Sequence, residues 1–77
     1  NMEFQLGAAV KTKIEKTFHD GVAGEITLPV GTMGIVCEGK TIKGTNWYLI
    51  ELADERFPDP LFGVFDYREN ELEPDFD

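Results

Sequence analysis

Apolar and polar residues alternate with a period of two in several short stretches of this chain, and nowhere do they recur at helical spacing over a useful length. In residues 8–14, Val10, Thr12 and Ile14 fall on one face of an extended chain, with Lys11 and Lys13 on the other. That pattern predicts a half-buried strand. A second strand is expected over 33–38, with Gly34 marking a bend or a close backbone crossing. The third, over 47–52 (Trp47-Tyr48-Leu49-Ile50-Glu51-Leu52), carries the strongest strand signal, being rich in aromatic and branched residues. A fourth is expected over 61–67. Residues 68–74 read as a tight turn, or one turn of 3₁₀ helix, followed by a short last strand around Leu72.

The connections are equally informative. Residues 15–31 read as one long irregular loop, because Gly21, Gly24, Pro29 and Gly31 interrupt any period. A short extended piece over 25–28 fits inside it. Residues 39–46 read as a polar hairpin loop. Residues 53–60 read as a loop, since Pro58 and Pro60 exclude a regular ladder. Residues 75–77 are expected to fray. Five short strands with glycine at the bends predict an all-β fold, a small five-stranded barrel with one long early loop, in a single domain over 1–77. An open sheet with one bare face is the alternative, and it lacks a second layer to cover it.

Four blocks resemble the small bacterial SH3-like barrels, including those carried on mobile gene cassettes. Leu6-Gly7-Ala8-Ala9-Val10-Lys11-Thr12-Lys13 is similar to their opening strand, with Ala8 where an Asp is common. Pro29-Val30-Gly31-Thr32-Met33-Gly34-Ile35-Val36 resembles their P-x-G-T-x-G-x-V turn and strand. Trp47-Tyr48-Leu49-Ile50-Glu51-Leu52 resembles the Y-x-V-E-F strand, and Arg68-Glu69-Asn70-Glu71-Leu72-Glu73-Pro74 the closing x-E-D-x-L-x-P. The resemblance implies an SH3-like barrel and implies little about function, because that fold hosts many unrelated roles. The 15–31 stretch lacks the acidic run with which eukaryotic SH3 domains bind proline-rich peptides.

Charge narrows the partners. The chain of 77 residues has a formal net charge of −8. Residues 1–50 are balanced, so the entire excess falls on 51–77, where only Arg56 and Arg68 are basic. A field of that sign repels phosphate backbones and anionic lipid heads. Nucleic acid and membrane surfaces are therefore poor candidate partners, and a basic protein or a second copy of the chain is the better expectation. The only basic strip on offer for nucleic acid is Lys11, Lys13, Lys16, Lys40 and Lys43. One cysteine, Cys37, allows no intrachain disulfide, which favours a reducing cytoplasm. Met2 reads as the natural start, and Asn1 as a residue left from expression.

Catalytic chemistry is thinly supported. The chain has no serine, so a Ser-His-Asp arrangement is impossible. Cys37 and His19 are the one thiol–imidazole pair available. Cys37, between apolar neighbours, reads as a small buried hydrophobe, and His19 as a solvated turn residue. One His and one Cys cannot build a zinc site, and Asp66, Glu69, Glu71 and Glu73 lack the spacing of a calcium loop. No phosphate loop is present. No catalytic residue, metal or cofactor is therefore expected; a small carboxylate-based enzyme is the remote alternative.

The distinctive feature is a surplus of apolar strand residues. Tyr48, Ile50 and Leu52 make one face of the third strand, and Trp47, Leu49 and Glu51 the other. In the fourth strand Phe62, Val64 and Asp66 oppose Leu61, Gly63, Phe65 and Tyr67. A barrel has one inside, so Trp47, Leu49, Phe62 and Val64, with Glu51 and Asp66 beside them, are the candidate binding residues. Two readings stay open: the patch is an interface, or Phe4, Leu6 or the long loop covers it.

Overall fold

The computed structural model describes residues 1–21, 24–57 and 63–76. The chain is all-β. Its strands are β1 (Ala9–Thr12), β2 (Lys16–Asp20), β3 (Gly24–Leu28), β4 (Met33–Ile42), β5 (Thr45–Leu52), β6 (Val64–Arg68) and β7 (Leu72–Pro74), with a 3₁₀ turn over Glu69–Glu71 before the last. A five-stranded antiparallel sheet runs in the order β6-β5-β4-β1-β7, and β2 and β3 form a separate two-stranded sheet. Among the described residues no ladder joins β6 to β7, so hydrogen bonding does not close a barrel.

The strand count of five is therefore corrected to seven among the described residues, and the long early loop to a hairpin. Its glycines interrupt the spacing along the sequence, yet Gly24 starts β3 at a positive φ of 81°. Between the glycines the period-two pattern is real. Phe18 pairs with Ile26, and the Thr17 and Thr27 hydroxyls bond each other at 2.8 Å. Phe18 turns inward, its ring 4.9 Å from Phe65 and 5.5 Å from Tyr67 in edge-to-face contact. The hairpin is thus the second layer that the sheet needs.

The 39–46 loop is likewise mostly ladder. β4 runs on to Ile42 and turns through Lys43 and Gly44, both at positive φ (50° and 80°), into Thr45. Two consecutive residues at positive φ make the turn whose twist matches a hairpin. The register slips between Val36 and Glu38, placing a bulge at Cys37. Cys37 is consequently exposed rather than buried, because the bulge takes it out of the alternation.

The core lies on the inner face: Val10, Val36, Tyr48, Ile50, Phe65, Tyr67 and Leu72, closed by Leu28 from the hairpin and Phe4 from the N-terminal segment. Phe4 packs edge-on against Tyr48 at 5.3 Å, and its N–H donates to the Tyr48 hydroxyl. Gly34 is required by close approach. A Cβ there would strike Ile50 Cγ2 and sit 2.8 Å from the Glu51 carbonyl oxygen. The Pro29–Thr32 turn is pinned to β1: Thr12 and Thr32 hydroxyls both donate to the Pro29 carbonyl, at 3.1 and 2.6 Å. Gly31 takes the positive φ of 83° that this turn demands. The tail is held further than expected, since Asp75 N–H donates to the Ala9 carbonyl at 3.0 Å.

Candidate interaction face

The same alternation that sends Tyr48, Ile50, Phe65 and Tyr67 inward sends Trp47, Leu49 and Glu51 of β5 and Val64 and Asp66 of β6 outward. The bulge at Cys37 resets the phase of β4, so Glu38, Lys40 and Ile42 join that outer face. Cross-strand register sets it out in rows. Leu49 lies between Glu38 and Asp66, Trp47 between Lys40 and Arg68, and Glu51 between Ile35 and Val64.

These residues line an open groove of about 460 Å³, with walls from Ile42, Trp47, Leu49 and Val64 and flanking charges from Glu38, Lys40 and Asp66. That volume lies in the range of small-ligand clefts. Of the sequence-predicted residues, Trp47, Leu49, Val64 and Asp66 come together here. Glu51 sits beside the groove rather than in it, near the Cys37 thiol at 3.7 Å. Phe62 lies outside the described residues. The N-terminal segment does not cover this face: Phe4 is spent on the core, and Leu6 is exposed. Ile42 and Val64 remain 46% and 42% exposed, which leaves the groove's ends open to solvent.

Trp47 is half-buried, and two cations hold it. Lys16 Nζ lies 5.3 Å from its ring centroid, and the Arg68 guanidinium carbon 6.0 Å. Lys16 reaches from the hairpin round the β6 edge. Its ammonium also stands 5.3 Å from the Phe18 ring and 4.8 Å from the Tyr67 ring. There it donates to the Asp66 backbone oxygen at 2.7 Å and to Glu71 Oε1 at 3.2 Å. Such an ammonium among aromatic faces is attracted by their ring quadrupoles. Glu71 is buried and accepts further bonds from the Arg68 N–H (2.7 Å) and Arg68 Nη2 (3.2 Å). Burial pushes its pKa up, but the Arg68 N–H, Lys16 and the Arg68 side chain together outweigh burial and hold it below the ordinary Glu value. The sequence alone did not mark this network, whose members lie on three elements.

Two further carboxylates serve the fold. Asp54 accepts from the Met33 N–H at 3.0 Å and from Arg56 Nε and Nη2 at 3.0 and 2.8 Å. The Arg56 side chain holds its pKa far below the usual carboxylate range. Glu69 accepts from the Tyr48 hydroxyl, the Glu3 N–H and Asn46 Nδ2, and the Tyr48 bond leads in lowering its pKa. These contacts pin the N-terminal segment to the sheet.

The nucleophile candidates do not meet. His19 faces Glu25 at 3.7 Å on the hairpin, while Cys37 stands on the β4 bulge beside Glu51. Desolvation first, then the Glu51 carboxylate, raise the thiol's pKa, away from a reactive thiolate. No group of three potential metal ligands occurs among the described residues. The lysines form no single strip. Lys11 pairs with Met33 at the start of β4, Lys40 and Lys43 lie at its far end, and Lys16 is engaged with Glu71. No helix among the described residues is long and apolar enough to cross a membrane. No protein-family model, curated protein or solved structure matches the chain.

Proposed function

We propose that this chain is a non-enzymatic protein-binding module of SH3-like build, using the outer face of β4, β5 and β6. The SH3-like reading rests on the four sequence blocks and on a hairpin packed against a five-stranded antiparallel sheet. The observation that carries the functional reading is the groove over Leu49. Its apolar walls stand on strands whose opposite face already supplies the core, so folding does not account for them. A wall held in place by Lys16 and Arg68 loses little freedom on binding, which favours recognition.

The test is selection of a displayed random peptide library on the wild-type chain, with counter-selection on Leu49→Thr. Threonine keeps strand propensity and removes the groove's apolar floor. Peptides retained by the wild type and lost on the variant are expected. Equal retention by both, or no enrichment, contradicts the reading.

A further inference from the structure

The groove's acids differ from the three acids that serve the fold. Asp54, Glu69 and Glu71 each accept several internal hydrogen bonds. Glu38 and Asp66 flank Leu49 on the two neighbouring strands, and among the described residues no cation bonds either carboxylate. Internal bonds occupy those three acids, while the exposed Glu38 and Asp66 carboxylates stand on either side of an apolar floor with no ion pair among the described residues, Lys40 lying in the neighbouring row opposite Trp47.

We propose that this face takes an extended cationic peptide segment of the pattern basic–x–apolar–x–basic. The segment crosses the strands with its apolar side chain over Leu49 and its two cations on Glu38 and Asp66. This rests on the reading of the face as a protein-binding surface and names its ligand. The geometry fits. Strands are spaced about 4.8 Å apart, so residues on the two neighbours of β5 stand roughly 10 Å apart at the backbone. In an extended peptide, alternate residues share a side, and those four apart are separated by about 13 Å. Flexible lysine arms take up that difference while the central residue points down.

Two other occupants fit less well. A second copy would bring its own −8 charge, and a two-fold pairing of this face would gather Glu38, Glu51 and Asp66 of both copies into one small interface. Strand addition along the β6 edge meets groups already engaged. The Asp66 carbonyl accepts from Lys16, and the Arg68 N–H donates to Glu71. The ligand therefore lies across the face.

The experiment is a nitrogen-15 NMR titration of the full chain with a peptide bearing Lys-Thr-Leu-Thr-Lys at its centre. The controls are Glu-Thr-Leu-Thr-Glu and Lys-Thr-Gly-Thr-Lys in the same flanks. Saturable shifts at Leu49, Val64 and the Trp47 indole are expected with the first peptide, weakening as salt rises. Both controls should bind at least about tenfold more weakly, and the Glu38→Gln/Asp66→Asn double variant should lose about tenfold for the first peptide. Because both acids are exposed, that variant should keep its melting temperature. Equal binding by the acidic control, or no loss in the double variant, overturns the cationic ligand and leaves the protein-binding reading standing. Shifts confined to another face, or none with any peptide, overturn the proposal, and if the library selection also fails, the broader reading falls with it. Dimer formation through this same face would overturn the proposal in favour of a second copy.

Discussion

Tyr48 and Leu49 are neighbours on one strand and serve different ends. Tyr48 is fully buried, its ring over Gly39 and against Phe4, its hydroxyl bonded to Glu69. Leu49 is half-buried, with carboxylates on either side and an open groove above it. The core residues on the inner face of β4–β5–β6 are covered by the hairpin, the N-terminal segment and Leu72. The outer face has equally apolar residues with nothing laid over them among the described residues. Apolar content alone does not say which face folds the protein. What separates the two is whether other parts of the chain have been committed to covering them.

That contrast breaks most visibly on the inner face. Tyr48→Ala should cost about 3–5 kcal/mol, the usual penalty for truncating a buried aromatic, and measured by urea unfolding this approaches the stability of a domain this small. Next in size is the Asp54 lock. Asp54→Ala should cost about 2 kcal/mol, because the Met33 N–H loses its acceptor and the ion-assisted bonds to Arg56 go with it.

The acids that serve the fold also set its pH response. Asp54, Glu69 and Glu71 have pKa values below their ordinary ones. A carboxylate depressed in the folded state contributes stability above its unfolded pKa, about 3.9 for Asp and 4.3 for Glu. That contribution is lost as pH falls through the folded value. Thermal unfolding should therefore be level between about pH 5.5 and 8 and fall steadily below about pH 5. Asp54→Asn should flatten the fall.

A smaller effect tests the boundary between the faces. Lys16→Met keeps the stem against the aromatic rings and removes the ammonium. It should cost about 1–2 kcal/mol, since Glu71 keeps Arg68 as its partner. It also frees the Asp66 carbonyl on the β6 edge, so light scattering should detect association at high concentration that the wild type does not show. Smallest of all, Val64→Thr on the outer face should stay within about 0.5 kcal/mol of wild type.

The two sets of β5 and β6 were legible as sets, because extended chain sends alternate residues to opposite sides, but which set of β6 faces inward was not, since Val64 and Phe65 are both apolar. The P-x-G-T turn was legible because Gly31 and Thr32 each have a fixed physical task there. The hairpin was hidden by its own turn glycines, which look like those of a loop when only spacing is read. The outer placement of Glu38, Lys40 and Ile42 was hidden by the bulge at Cys37, since one extra residue reverses every side chain beyond it. The Lys16–Glu71–Arg68 network could not be found from spacing, because 55 residues separate Lys16 from Glu71.

The central claim is that β5 folds the protein with one face and binds with the other. The most direct measurement takes a peptide from the library selection and compares Leu49→Thr with wild type in both urea unfolding and peptide affinity. The account predicts a stability loss of no more than about 1 kcal/mol together with loss of binding by about tenfold or more. Unchanged affinity in a folded Leu49→Thr chain would contradict it.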